Sequence, residues 1–264
     1  MTLFTLTPGD RPLLVSLPHA GLYVPPEIRR RFTEPAQALP DTDWHVDRLY
    51  DRVLDLGVSV LAATHSRNVI DLNRPPDDTP LYAGATTGLC PLTLFDGTPL
   101  YRPGLQPDAA ERQERLHRYW EPYHQALAGE LARLRDLHGF ALLLDAHSIR
   151  PVIPRLFEGV LPDLNLGTND GRSAAPSLIR RAEDALRQTN GYTYVRDGRF
   201  KGGYITRHYG TPDTGIHALQ LELAQTTYMD DGPPFAYHPE RADRLRGVLH
   251  RLVATLLTWT PDVL

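Results

Sequence analysis

"ALLLDAHSIRP", residues 141–151, decides the reading of this chain. With Phe140 before it, the run begins as a continuous apolar strand of the kind buried on both faces of a sheet. It then runs, with no turn residue between, into Asp145, His147, Ser148 and Arg150. Other segments repeat the pattern. "PLLVSLPHAG" (12–21) is a short buried strand that ends at His19, and "VSVLAAT" (58–64) and "NVIDLN" (68–73) read as strands. "YTYVRD" (192–197) and "HALQLELAQ" (217–225) complete the strand set.

Helical segments fall between them. "DWHVDRLYDRVLDLG" (43–57) carries Trp44, Leu49, Val53 and Leu56 near helical spacing and stops at Gly57. Residues 109–139 form one helix or two, with a kink expected at Pro122. Residues 173–191 begin at an N-cap serine, Ser173, and 239–259 begin at a proline. Residues 74–107, 151–172 and 198–212 read as loops. Alternation of apolar strands with helices predicts an α/β fold whose mixed, mostly parallel sheet is flanked by helices. Without a linker or internal repeat, residues 1–264 are expected to form a single domain.

Composition narrows the function. Net charge is 28 − 32 = −4, which offers no electrostatic footprint for nucleic acid. There is no signal peptide and no apolar run of the roughly 18 residues that a membrane span needs, so a cytoplasmic protein is expected. Cys90 is the only cysteine, which excludes an internal disulfide and an all-cysteine zinc site. Lys201 is the only lysine, so only that residue could form a Schiff base.

The chemistry gathers at strand ends, where open α/β sheets build their sites. Taken singly, His19 or His147 reads as a hydrogen-bonded structural residue. As a pair beside a carboxylate, they suit a catalytic zinc with three protein ligands and a position left for water. Asp43 is the preferred third ligand, with Asp41 or Asp47 as alternatives; one of these acids could instead cap the helix that follows. Glu222 lies among Leu219, Leu221 and Leu223, where a carboxylate is costly unless it works, and a general base is the matching role. Arg67, Asn73 and Arg74 in "SRNVIDLNRPPDD" (66–78), with Arg150 and Arg207, supply guanidinium groups suited to gripping carboxylates. "KGGYITRHYG" (201–210), which contains Tyr204, has the paired glycines of a loop that closes over a ligand.

Taken in order, "SLPHAG", "DTDW", "SRNVIDLNRPPDD", "LLLDAHS", "LGTNDG", "GGYITRHYG" and "ALQLELAQTTYMD" resemble the N-formylglutamate amidohydrolase family, from about residue 12 to 255. The family is related to zinc carboxypeptidases. The resemblance therefore implies a phosphorylase/hydrolase-like fold and one Zn2+, or another divalent metal, per chain. It implies hydrolysis of a small dicarboxylate, N-formyl-L-glutamate, to formate and L-glutamate, a step of histidine degradation. His19 and His147 match the histidine ligands, Glu222 the base, and Asn73-Arg74 a carboxylate-binding pair. The chain departs from the carboxypeptidase pattern H-x-x-E, because Ala20, Gly21 and Leu22 follow His19; the acidic ligand must come from elsewhere, such as Asp43. In the expected mechanism Arg67 steadies the oxyanion, Arg74 holds one carboxylate, and Arg207 or Arg150 holds the other. Two other readings fit the same residues: a deacylase of another N-acyl amino acid, and a non-catalytic protein that binds an acidic amino acid.

Overall fold

The structure, a computed structural model, describes residues 2–81, 84 and 86–261. One mixed sheet of seven strands runs through it, in the order β1-β3-β2-β4-β7-β5-β6. The strands are β1 (Phe4–Thr7), β2 (Leu13–Leu17), β3 (Ser59–Ala63), β4 (Ala141–Ile149), β5 (Leu164–Gly167), β6 (Tyr194–Arg196) and β7 (Ile216–Ala224). β3, β2, β4 and β7 are mutually parallel; β1 and β5 run antiparallel to their neighbours β3 and β7.

Burial explains the continuous apolar strands. Every residue of β2 and β4 is buried, because helices cover both faces of the sheet centre. On one face α5 (Pro176–Arg187) and α7 (Pro239–Leu256) pack Leu178, Leu186, Leu245 and Leu252 against Val15, Leu144 and Leu221. On the other, α4 (Glu121–His138) packs Leu127, Leu131 and Leu134 against Leu14, Leu143 and Ala218. Fully burying one such leucine contributes about 1.5–3 kcal/mol.

Several segments differ from the sequence reading. Residues 68–73 form turns rather than a strand. Val69 N bonds Ser66 O, Asp71 N bonds Leu89 O, and Arg74 N bonds Asp71 O, so the backbone follows local and loop partners instead of a strand ladder. The segment read as a helix over 43–57 is two short pieces, α2 (Val46–Leu49) and a 3-10 turn over Asp51–Leu56. His45 sits at φ 62°, a left-handed conformation that breaks the chain before α2 and leaves Asp43 in a loop. β5 lies inside the expected loop 151–172, and α6 (Tyr204–Tyr209) inside the expected loop 198–212. Ser173 is not an N-cap; its hydroxyl bonds Ala218 O, and Pro176 starts α5.

The helix expected over 109–139 holds a distortion. It comprises α3 (Ala109–Arg115), a π-helical turn over Leu116–Trp120, and α4. Glu121 N reaches back five residues to Leu116 O. Pro122, next in line, has no N–H with which to restore the four-residue pattern.

Candidate metal and active site

The C-terminal ends of β2 and β4 bring His19 and His147 together, with ring centroids 4.9 Å apart. Asp43 joins them from the loop before α2. One donor atom from each of the three residues lies within 4.8 Å of the others, and all three residues are buried. Nδ1 of His147 is 3.1 Å from Asp43 Oδ2, and Nδ1 of His19 is 3.7 Å from the same oxygen. Asp43 does not cap a helix: Oδ2 accepts from the Ser148 backbone N–H at 3.1 Å, which ties it to β4.

The far side of each imidazole is held as well. His19 Nε2 lies 2.7 Å from Asp71 Oδ1, and His147 Nε2 lies 3.0 Å from Asp145 Oδ2. A carboxylate behind a metal-binding histidine fixes the tautomer and ring direction and leaves the other nitrogen for the cation. Here both Nδ1 atoms face Asp43. Around them, three buried carboxyl groups (Asp43, Asp71, Asp145) crowd the two imidazoles. Ionised, they concentrate negative charge that a cation would offset. The donor set, two imidazoles and a carboxylate, suits zinc chemistry.

The electrostatics agree with this arrangement. Burial opposes charge on His147, yet Asp145 and Asp43 outweigh it and hold its pKa well above the ordinary value. Burial and then Arg67 lower the pKa of His19. Arg67 Nη1 approaches His19 Nδ1 at 3.1 Å, the lone pair that a cation would take. Burial also disfavours ionised Asp71, but Arg67 and His19 keep its pKa well below the usual range.

Glu222 pairs in register with His147 across the parallel strands β4 and β7, so the two side chains share a face. Its carboxyl lines the same cavity, and burial raises its pKa to about 8. A carboxyl that can hold or release a proton near neutral pH is suited to proton transfer.

The cavity has a volume of about 580 Å³ including its open mouth, and Arg67, Asn73 and Arg74 also line it. Asn73 Oδ1 accepts from Ile205 N at 2.8 Å, and its amide donates to Asp145 Oδ2 at 3.1 Å. Gly203 packs so closely here that a Cβ would come within 2.3 Å of the Asn73 amide, so no other residue fits. Arg74 is braced by the Thr87 carbonyl at 2.8 Å.

Three residues expected at the substrate are not among those lining the cavity. Arg150 is not among the lining residues; it pairs with Asp41 at 3.1 Å. Arg207 also lies outside the lining and donates to Gly202 O at 2.8 Å. Tyr204 is likewise outside it and stacks on His208. Asp41 accepts from Phe95 N at 2.7 Å, and Asp47 is exposed, so neither approaches the histidines as Asp43 does.

Other residues in the site were not assigned from the sequence. Asp71 and Asp145 back the histidines, and Arg199 and Phe200 line the cavity. The two acids carry the signal that marked Glu222, a carboxylate inside an apolar run ("VIDL", "LLLDA"). Arg199 sits in a polar loop with no such signal.

A possible metal site, a carboxyl suited to proton transfer and guanidinium groups gather around one cavity, as in a hydrolase. The sequence pattern of the N-formylglutamate amidohydrolase family matches residues 11–229, and the chain belongs to that family. It is 55% identical over 251 residues to an N-formylglutamate deformylase of Pseudomonas aeruginosa, covering 95% of this chain and 94% of the relative. The same figures hold for an N-formylglutamate deformylase of Pseudomonas putida. Among solved structures, an N-formylglutamate amidohydrolase from Ralstonia eutropha JMP134 matches with TM-score 0.83 and 29% identity, over 98% of this chain and 97% of that one. The product Atu2144 of Agrobacterium tumefaciens shares the fold, with TM-score 0.75 and 19% identity over 98% of this chain and 96% of that one.

Proposed function

We propose that this protein hydrolyses N-formyl-L-glutamate to formate and L-glutamate, using zinc held by His19, Asp43 and His147. The carrying observation is the convergence of those three donors, each imidazole backed by a buried carboxylate, beside Glu222 in a cavity lined by guanidinium groups. The deformylase relatives at 55% identity support the choice of substrate.

Zinc bound there would polarise the formyl carbonyl and acidify a water molecule. Glu222 accepts a proton from the attacking water as the new C–O bond forms. It then delivers that proton to the departing amine as the C–N bond breaks, so formate and the free amino acid leave. Arg67 contributes positive charge where the oxyanion develops. The two substrate carboxylates require two guanidinium groups. Arg74, beside Asn73, takes one, and Arg199 on the facing loop takes the other, in the role first sought from Arg150 or Arg207. Cys90 is buried and its thiol is pushed up to about 11, so it is no nucleophile. A reducing cytoplasm suits such a chain.

Formate release should be measured with N-formylglutamate, N-formylaspartate and N-acetylaspartate, alongside metal analysis of the purified protein. The proposal expects about one zinc per chain, preference for N-formylglutamate, and loss of turnover on chelation that zinc restores. Binding of glutamate with neither metal nor formate release would overturn it.

A further inference from the structure

The loop Leu72–Arg74 delivers Asn73 and Arg74 to the cavity but is neither strand nor helix. Its backbone carbonyls need donors from elsewhere. Leu72 O accepts from His124 Nε2 at 2.9 Å, and Arg74 O accepts from Trp120 Nε1 at 3.0 Å. These two donors straddle the boundary between the π-turn and α4, and their rings stack with centroids 3.7 Å apart and planes 22° apart.

The π-turn explains how both donors reach one loop. Buried pairs recur every four residues along this helix: Arg115 and Leu116, Tyr119 and Trp120, Tyr123 and His124, then Leu127. A regular α-helix advances about 100° per residue, so a four-residue step rotates each pair by about 40°. One turn with five-residue hydrogen bonding absorbs that drift and keeps Trp120 and His124 on the face turned to the loop.

The hydrogen bonds also fix the state of His124. A carbonyl can only accept, so Nε2 carries the proton and Nδ1 accepts from the Tyr209 hydroxyl at 2.9 Å. Tyr209 belongs to α6, whose first residues hold the same loop from the other side through Ile205 N and Asn73 Oδ1. The π-turn and α6 thus grip Leu72–Arg74 between them, and the His124–Tyr209 hydrogen bond joins the two sides.

We propose that Trp120 and His124 are positioning residues for substrate binding: they hold the Leu72 and Arg74 carbonyls so that the Arg74 guanidinium faces the substrate carboxylate. This rests on the reading of Arg74 as a carboxylate receptor. Glu222 and His147 sit on β7 and β4, and the Asn73 side chain, which contacts Asp145 and His147 Nε2, is held by Ile205 N as well, so loss of the two carbonyl anchors falls mainly on Arg74 and on substrate binding.

The test compares Trp120→Phe, His124→Leu and His124→Gln, the last retaining a donor near Nε2. One lost hydrogen bond predicts a KM for N-formylglutamate raised about five- to tenfold in Trp120→Phe and His124→Leu. kcat and zinc content are expected to stay within about twofold, and His124→Gln is expected to recover most of the loss. In an Arg74→Ala background, Trp120→Phe should add no further increase, because the group it positions is gone. Amide hydrogen exchange should accelerate at residues 71–75 more than in β4. Equal falls in kcat across the variants, a full additional loss in the Arg74→Ala background, or unchanged exchange at 71–75 would overturn the proposal. Should Trp120→Phe fail to fold, the His124 pair carries the same test. Absence of wild-type turnover would count against the proposed reaction, whereas the exchange measurement tests the grip on the loop independently of it.

Discussion

Replacing Asp71 with asparagine changes little volume and removes one charge, and the structure fixes the consequences. Asp71 is fully buried; Oδ1 accepts from His19 Nε2 at 2.7 Å and Asn73 N at 2.9 Å, and Oδ2 accepts from Arg67 Nη2 at 2.6 Å. With its oxygen towards His19 and Asn73, an asparagine turns its amide N–H against Arg67, donor facing donor. Reversed, it loses two hydrogen bonds instead of one, so the first orientation wins. His19 then keeps its direction, while Arg67 loses its buried partner. The guanidinium already lies 3.1 Å from His19 Nδ1 and 3.7 Å from Asp43 Oδ1, and it turns towards them. It therefore competes with a cation for two of the three donor groups. Breaking a buried ion pair costs about 3–5 kcal/mol of stability. Loss of an outer carboxylate lowers metal affinity about 10–100-fold. Zinc affinity measured by competition with a chromophoric chelator, and urea unfolding of the metal-free protein, read these two effects separately. A folded Asp71→Asn protein that binds zinc as tightly as the wild type would refute the account in which Asp71 keeps Arg67 off the metal donors.

Glu222→Gln should retain zinc but lose about 10²–10⁴-fold in kcat, measured as formate release. In the metal-free protein the same change should be stabilising: burial lifts the Glu222 pKa from 4.5 to about 8, so native stability falls as pH rises across that window. Urea unfolding at pH 5 and pH 8 should show the variant's advantage growing by about 3 kcal/mol; an advantage that shrinks with pH contradicts the burial argument. Arg199→Gln should lower kcat/KM for N-formylglutamate by about 10²-fold, through loss of a charge-assisted contact. It should change turnover of N-formylmethionine, which lacks the second carboxylate, by less than about threefold; an equal loss on both substrates would exclude Arg199 as reader of that group. Far from the cavity, the hydrogen bond from Arg31, with Arg115, lowers the Glu111 pKa from 4.5 to about 2 against the opposing effect of burial. That stability is present above pH 4.5 and is lost as pH falls through 2, so Glu111→Gln should cost about 1 kcal/mol at pH 7 after solvent screening, and much less at pH 2.

The central sheet was legible because β2, β4 and β7 are buried on both faces, and burial writes itself as an unbroken apolar run. The same contrast exposed His19, His147 and Glu222, since a polar residue at the end of such a run must have a use. Legibility ended where function is carried by turns. Residues 68–73 have the composition of a strand, but turn hydrogen bonds and the contact of Asp71 N with Leu89 O override that preference. Arg150 and Arg199 are both arginines in connections that follow a strand. Which one lines the cavity depends on the position of Asp41, which claims Arg150, and nothing local in the sequence encodes that pairing. The π-turn depends on how a helix meets a distant loop, and Pro122 marked only that some irregularity was due.

The register of His147 with Glu222 divides labour in a way that bears on how such proteins diversify. Hydrogen-bonded neighbours in a sheet are spaced about 4.8 Å apart by the backbone ladder alone. Of the proposed catalytic groups, His147 and Glu222 are therefore fixed by the sheet, with His19 and Asp43 on loops beyond its strands, while the guanidinium groups proposed to recognise the acyl amino acid ride on further connecting segments. New acyl donors could be accommodated by rewriting those segments, with the two central strands left as they are.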